Sequence, residues 1–71
     1  MMPEKWTGQL IGRMHNYNVT YDDLSKKMGI TKGYISQVLN CYRRPPNAQQ
    51  RFEAAVNEII VERLEQIEKG E

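Results

Sequence analysis

Cysteine and histidine, two residue types that often perform catalysis or hold metal ions, each occur once in this chain. Its single cysteine, Cys41, has no second cysteine with which to form a disulfide and no neighbouring histidine with which to bind zinc. The single histidine, His15, has no serine, cysteine or carboxylate constellation around it in the sequence. We therefore expect a structural thiol, a surface histidine, and neither a metal ion nor another cofactor.

Chain length also argues against an enzyme. Seventy-one residues form one domain, and a domain this small buries only roughly 60% of the surface of its unfolded chain, which leaves no deep active-site cleft. The longest apolar runs are three residues, far short of a membrane span, and the beginning of the chain lacks the layout of a signal peptide. With one unpaired cysteine, the expectation is a cytoplasmic protein without membrane contact or an evident small-molecule ligand.

Charge is distributed unevenly along the chain. Residues 1–51 contain eight basic and three acidic residues, a net charge of +5, whereas residues 52–71 contain two basic and six acidic residues, a net charge of −4. The overall value of +1 conceals this difference. A basic body with an acidic tail indicates that one part of the protein has a polyanionic partner.

Helical periodicity dominates the sequence, and no strand-like alternation of useful length is present. The pattern predicts an all-α fold of four helices, over about 4–15, 21–28, 32–40 and from Asn47, as a cap, to about 69. The core is expected to contain the apolar residues at helical spacing: Trp6, Leu10, Ile11, Met14, Leu24, Met28, Ile35, Val38, Phe52, Ala55, Val56 and Ile59.

The second and third helices are predicted to lie very close together in the chain. Thr20 and Asp23 have the spacing of a capping box, and Gly29 is suited to the left-handed residue that ends a helix. Thr31 can then cap the next helix, only three residues after the previous one ends. The pattern predicts a helix, a tight glycine turn, and a helix whose outward residues are Lys32, Gly33, Ser36, Gln37 and Asn40.

A basic connector follows the third helix. Arg43 and Arg44 precede Pro45 and Pro46, and neither proline can continue a helix. The residue before a proline is pushed to extended geometry, so we expect a rigid connector that displays its cationic side chains.

The segment from Leu24 to Asn40 resembles the helix-turn-helix of the Cro and phage-lambda-repressor family, also called the xenobiotic-response-element-type regulators. The resemblance is carried by Leu24, Ser25, Gly29, Ile30, Ile35 and Val38, by the run 33–37, and by the two arginines before the prolines. It covers roughly residues 6–59. Family members usually have alanine at the position of Ser25, so its hydroxyl needs a backbone partner here. The resemblance implies a four-helix lambda-repressor-like DNA-binding domain over 1–59, with its motif at about 21–40.

The family's contact positions imply which residues touch DNA. The base-reading positions correspond to Thr31, Lys32, Gly33, Ser36 and Gln37. Gln37 is the strongest candidate because a carboxamide can pair with adenine N6 and N7, and Lys32 can reach guanine O6 and N7. Phosphate contacts are expected from the polar residues around the third helix: Tyr21, Tyr34, Asn40, Tyr42, Arg43 and Arg44. The alternative is that these are ordinary solvated side chains.

The last part of the chain, residues 60–71, is expected to extend the fourth helix beyond what the core requires. Ile60, Leu64 and Ile67 recur at helical spacing among acidic residues. They can form the seam of a homodimer, which would present two reading helices to a palindromic operator. Alternatively, this segment docks a partner protein or folds back on the first helix.

Together these features favour a sequence-specific double-stranded-DNA-binding transcriptional regulator, most simply a prophage-type repressor that occludes a promoter. The alternative from a different class is a protein-interaction module, an antitoxin or antirepressor partner, in which the helix-turn-helix serves only as scaffold.

Overall fold

Four α-helices account for most of residues 5–69, the part of the chain that the computed structural model describes. They are α1 (Lys5–Asn16), α2 (Tyr21–Met28), α3 (Lys32–Leu39) and α4 (Ala48–Lys69), and no strand occurs within that range. The predicted all-α architecture is confirmed for these residues. The predicted start of the first helix at Glu4, the first four residues of the 1–59 domain and the last two of the 60–71 extension lie outside them.

The caps of α2 and α3 form as their sequences predict. The Asp23 carboxylate accepts a hydrogen bond from the Thr20 N–H at 2.9 Å, and the Thr20 hydroxyl accepts one from the Asp23 N–H at 3.1 Å. Gly29 ends α2 with a φ of 69°, and the Thr31 hydroxyl caps α3 by accepting from the Tyr34 N–H at 3.1 Å. Three residues therefore separate the two helices, which fixes how closely they pack.

The approach to α4 differs from the prediction. Asn47 precedes the helix, but its φ is 59°, unlike the extended backbone of the caps at Thr20 and Thr31. The Ala48 N–H donates to the Pro45 carbonyl at 3.3 Å, which closes a four-residue turn with Pro46 and Asn47 at its centre. Proline in the second position and asparagine with positive φ in the third position are typical of a type II turn. Asn47 is therefore a turn residue rather than an extended N-cap.

A single apolar core lies among the four helices. Its most deeply buried side chains include Leu24, Ile35, Val38, Leu39, Phe52 and Val56. Trp6 and Met28 pack against this core from its edge, and the Trp6 ring meets the Phe52 ring edge-on with centroids 6.3 Å apart. Ile11 was predicted to belong to the core but is 39% exposed, because the buried stripe of α1 consists of Thr7, Leu10 and Met14 instead.

Cys41 is buried, as expected of a structural thiol. Its sulfur lies 3.9 Å from the Thr7 hydroxyl, within the weak hydrogen-bonding range of a thiol. The Cys41 backbone has a φ of 65°, which a non-glycine residue adopts only when its surroundings require it. His15, in contrast, is exposed near the end of α1, as predicted.

The second half of α4 is attached to the domain by polar contacts. One Arg63 Nη donates to the carbonyls of Tyr17 and Asn18, both at 2.8 Å, and the other donates to the Asp23 carboxylate at 2.6 Å. Lys27, one turn after Asp23 on α2, makes a second contact with α4: its ammonium lies 2.7 Å from the Glu62 carboxylate. The hydrogen bond that Lys27 donates to Glu62 raises the pKa of Lys27. The helix therefore remains part of the domain beyond residue 59.

Among residues 5–69, none of the helices combines the length and the apolar character that a crossing of a bilayer requires.

Candidate functional site

The first turn and one side of α3 form an exposed polar surface. Thr31, Lys32, Gly33 and Gln37 are exposed, whereas the opposite side buries Ile35, Val38 and Leu39 in the core. The four exposed residues are among those predicted to read bases. The core thus holds α3 by one side and presents the other to solvent.

Ser25 stabilises the turn that leads into this surface. Its hydroxyl donates to the carbonyl of Ile30, the backbone partner that the sequence requires. The Gly29 and Ile30 N–H groups donate to the Ser25 carbonyl at 2.9 and 3.3 Å. These three bonds satisfy both ends of the turn and fix the angle at which α3 leaves α2.

Gln37 and Arg43 are joined in the structure, although sequence reasoning assigned them separate roles. The Arg43 Nε–H donates to the Gln37 side-chain carbonyl. The backbone N–H groups of Tyr42 and Arg43 also donate to the Gln37 main-chain carbonyl, at 2.8 and 3.2 Å. The segment after α3 therefore wraps back along its C-terminal turn, which places a cation beside the predicted reading residue.

Tyr34 completes this group of side chains. The Arg43 guanidinium carbon lies 5.7 Å from the centroid of the Tyr34 ring, within the range of a cation–π contact. Tyr34 is half-buried against the core. A partly rigid aromatic ring therefore supports the arginine that contacts Gln37.

Ser36 and Asn40 also interact with each other. The Asn40 amide donates to the Ser36 carbonyl at 2.8 Å and to its hydroxyl at 3.2 Å. Ser36 is half-buried, less accessible than the outward position predicted for it. Ser36 is therefore less accessible than Gln37 for the base contact that was predicted for both.

One acidic side chain, Asp22, offsets positive charge at the start of α3. The Lys32 ammonium lies 3.9 Å from the Asp22 carboxylate, which also pairs with Lys26 at 3.2 Å. All three side chains are more than half exposed, so solvent weakens these pairs. Lys32 can exchange Asp22 for another anion at little cost.

The remaining predicted phosphate ligands differ in their exposure. Tyr42 is 80% exposed, and Arg43 and Arg44 are exposed as well. Tyr21 is half-buried and packs against the core. The left-handed backbone of Cys41 turns the chain so that the cysteine is buried while Tyr42 faces solvent. Cysteine is not a typical left-handed residue, so the sequence contains no signal for this reversal.

The predicted dimer seam is only partly exposed. Leu64 and Ile67 are 50% and 69% exposed, but Ile60 is 4% exposed and belongs to the core. Ile60 was assigned to the seam in error, because its position on α4 continues the buried face of Val56 and Ile59. Val61, which was not among the predicted seam residues, is 52% exposed and lies three residues before Leu64, a spacing that places the two on neighbouring positions of the helix surface.

The chemistry of this surface is that of hydrogen-bond donors and cations. Within the described part of the chain, no group of three or more histidine, cysteine, aspartate or glutamate side chains is placed to hold a metal ion. No family model, curated protein or solved structure matches this chain.

Proposed function

We propose that the protein is a sequence-specific double-stranded-DNA-binding transcriptional regulator, of the prophage repressor type, that reads the major groove with α3. The observation that carries this proposal is the exposed polar first turn of α3 beside the cationic segment 42–44, held in place by a buried opposite face. The proposed domain is a lambda-repressor-like one, in which α2 and α3 serve as the helix-turn-helix.

Base recognition in this proposal centres on the exposed residues of α3. A glutamine carboxamide can donate to adenine N7 while accepting from N6, and Gln37 is exposed for such a contact. Lys32 can exchange its distant Asp22 partner for guanine O6 and N7. Gly33 has no heavy atom within 4 Å of the point where a Cβ would lie, so packing within the protein does not require glycine there. A close approach by DNA supplies a reason for it.

Phosphate binding is proposed for donors before and after α3 in the chain. Arg43, Arg44 and Tyr42 extend from the segment after its C-terminal end, and Tyr21 begins α2, which precedes α3 in the chain. Donors that precede and follow a reading helix fit the two phosphate strands that flank a major groove. Cationic contacts of this kind make binding strongly dependent on salt.

A homodimer is proposed as the binding form. Val61, Leu64 and Ile67 are exposed apolar residues within two turns of α4, and pairing them across a two-fold axis would bury them. A two-fold dimer would present two copies of α3 to a palindromic operator.

The proposal is tested by selecting bound duplexes from random DNA and measuring their affinity at 50 and 200 mM salt. We expect the affinity to fall roughly tenfold or more, as several phosphate contacts require. Arg44→Ala should reduce the salt slope by about one, whereas Lys27→Gln should leave it unchanged because Lys27 lies against Glu62 of α4 and is not among the proposed DNA contacts. Absent or salt-insensitive binding would contradict the proposal and favour the protein-interaction module instead.

A further inference from the structure

The hydrogen bond from Arg43 to Gln37 determines which way the Gln37 carboxamide is turned. A carboxamide has an acceptor oxygen and a donor NH₂ group that differ little in shape, so an unrestrained side chain can present either. Here the cationic Arg43 Nε–H holds the oxygen. A hydrogen bond from a charged donor is about twice as strong as a neutral one, which favours this orientation.

The same bond leaves Gln37 able to recognise a base. The carbonyl oxygen has a second lone pair, and both NH₂ hydrogens remain available in the orientation that Arg43 sets. An amide fixed in this way loses less conformational freedom when it binds than one that must first be ordered.

Arg43 also has donors left for a phosphate. Its guanidinium carries five N–H groups, of which the Nε–H is used on Gln37. The guanidinium carbon lies 5.7 Å from the centroid of the Tyr34 ring, and the Gln37 main-chain carbonyl, not its side chain, accepts from the backbone N–H groups of Tyr42 and Arg43. One exposed side chain therefore touches the predicted reading residue through Nε and keeps its Nη–H groups out of that bond.

We propose that Arg43 is a specificity-determining positioning residue: it orients the Gln37 carboxamide for base recognition, and thereby couples phosphate binding to sequence reading. This inference rests on the proposed function and deepens it. It changes the expected role of Arg43, which sequence reasoning treated as a phosphate ligand alone.

The test uses Arg43→Lys, which retains the positive charge but not the planar Nε donor. Affinities are measured by fluorescence anisotropy for the best selected duplex and for duplexes substituted at each base pair of a half-site. Arg43→Lys should retain its affinity for random duplex within about threefold, because a lysine can still contact a phosphate. Discrimination is the ratio of the affinities for the best duplex and for the duplex substituted at the base pair that Gln37 reads. A bidentate pair provides a ratio of roughly 5 to 150, and Arg43→Lys should reduce this ratio about fivefold or more.

Two controls separate orientation from general damage. Arg44→Ala should weaken binding to every duplex by a similar factor and leave discrimination unchanged. In a Gln37→Ala background, Arg43→Lys should have no further effect on discrimination, because the side chain that it orients is gone.

A measurement without DNA tests the contact itself. Nitrogen-15 relaxation of the Gln37 side-chain NH₂ should show an ordered amide in the wild type and a mobile one in Arg43→Lys. An amide that is equally mobile in both proteins would overturn the inference. Discrimination that is the same in Arg43→Lys as in the wild type would also overturn the inference, but it would leave the proposed function intact. A wild type that prefers no duplex would overturn the proposed function and this inference together.

Discussion

Replacing Arg63 with alanine is expected to destabilise the protein by detaching the second half of α4 from the α1–α2 turn. The guanidinium donates to the carbonyls of Tyr17 and Asn18, both at 2.8 Å, and to the Asp23 carboxylate at 2.6 Å. Alanine removes all three bonds. The two carbonyls can then be reached by water, while Asp23 keeps its bond from the Thr20 N–H.

The expected magnitude follows from the exposure of the partners. The Arg63 and Asp23 side chains are 37% and 30% exposed, so solvent screens the ion pair and its contribution lies near that of a surface pair, at most about 1 kcal/mol. Two further hydrogen bonds at a partly exposed site contribute about 0.5 kcal/mol each. The free energy of unfolding should therefore fall by about 1–2 kcal/mol, which corresponds to a decrease of roughly 5–15 °C in Tm for a domain of this size.

Urea unfolding followed by circular dichroism measures this change. Arg51→Ala is the matched control, because Arg51 is an exposed arginine on the same helix, and its replacement should alter the free energy by no more than about 0.5 kcal/mol. If Arg63→Ala were as stable as Arg51→Ala, the contacts of Arg63 would contribute nothing measurable. The account of how α4 is attached would then be refuted.

Three further predictions concern single positions. Gly33→Ala should stabilise the fold by about 0.5 kcal/mol, yet weaken DNA binding roughly tenfold, or about 1.4 kcal/mol. Thermal melts measure the first effect and fluorescence anisotropy the second; an unchanged affinity would contradict a close approach of DNA to Gly33. Leu64→Glu should shift the protein toward monomer in sedimentation velocity without loss of helix content. A sedimentation coefficient equal to that of the wild type would exclude the dimer seam. The bond from the Thr20 N–H lowers the pKa of Asp23 below 3.8, assisted by Arg63 and opposed by desolvation. The stability from this carboxylate is therefore present above about pH 4 and is lost as the pH falls through the folded-state pKa; acid unfolding of Asp23→Asn should depend less on pH, and an identical profile would contradict this.

The local structure around α2 and α3 could be predicted because its determinants are close in sequence. A capping threonine, an aspartate three residues later and a glycine in the left-handed region act within one or two turns of helix. The partner required by Ser25 was also predictable, since a hydroxyl between closely packed helices must find a nearby carbonyl.

Contacts that depend on the path of the chain could not be predicted in the same way. The bond between Arg43 and Gln37 forms because the chain reverses at Cys41, a residue type that rarely has positive φ. Arg63 reaches a turn 45 residues earlier in the chain, and nothing in the spacing of the sequence connects the two. Ile60 was misassigned for a related reason: helical periodicity locates an apolar stripe but not the point along it where the core ends.

The central claim is that the exposed side of α3 contacts DNA. It is tested most directly by NMR titration of the protein with a selected duplex, in which the backbone amide of each residue reports its own surroundings. The account predicts that the largest shift changes occur at Lys32, Gly33, Gln37 and Arg44, and that they weaken with added salt. Changes confined to α4, or no change at any duplex concentration, would contradict it.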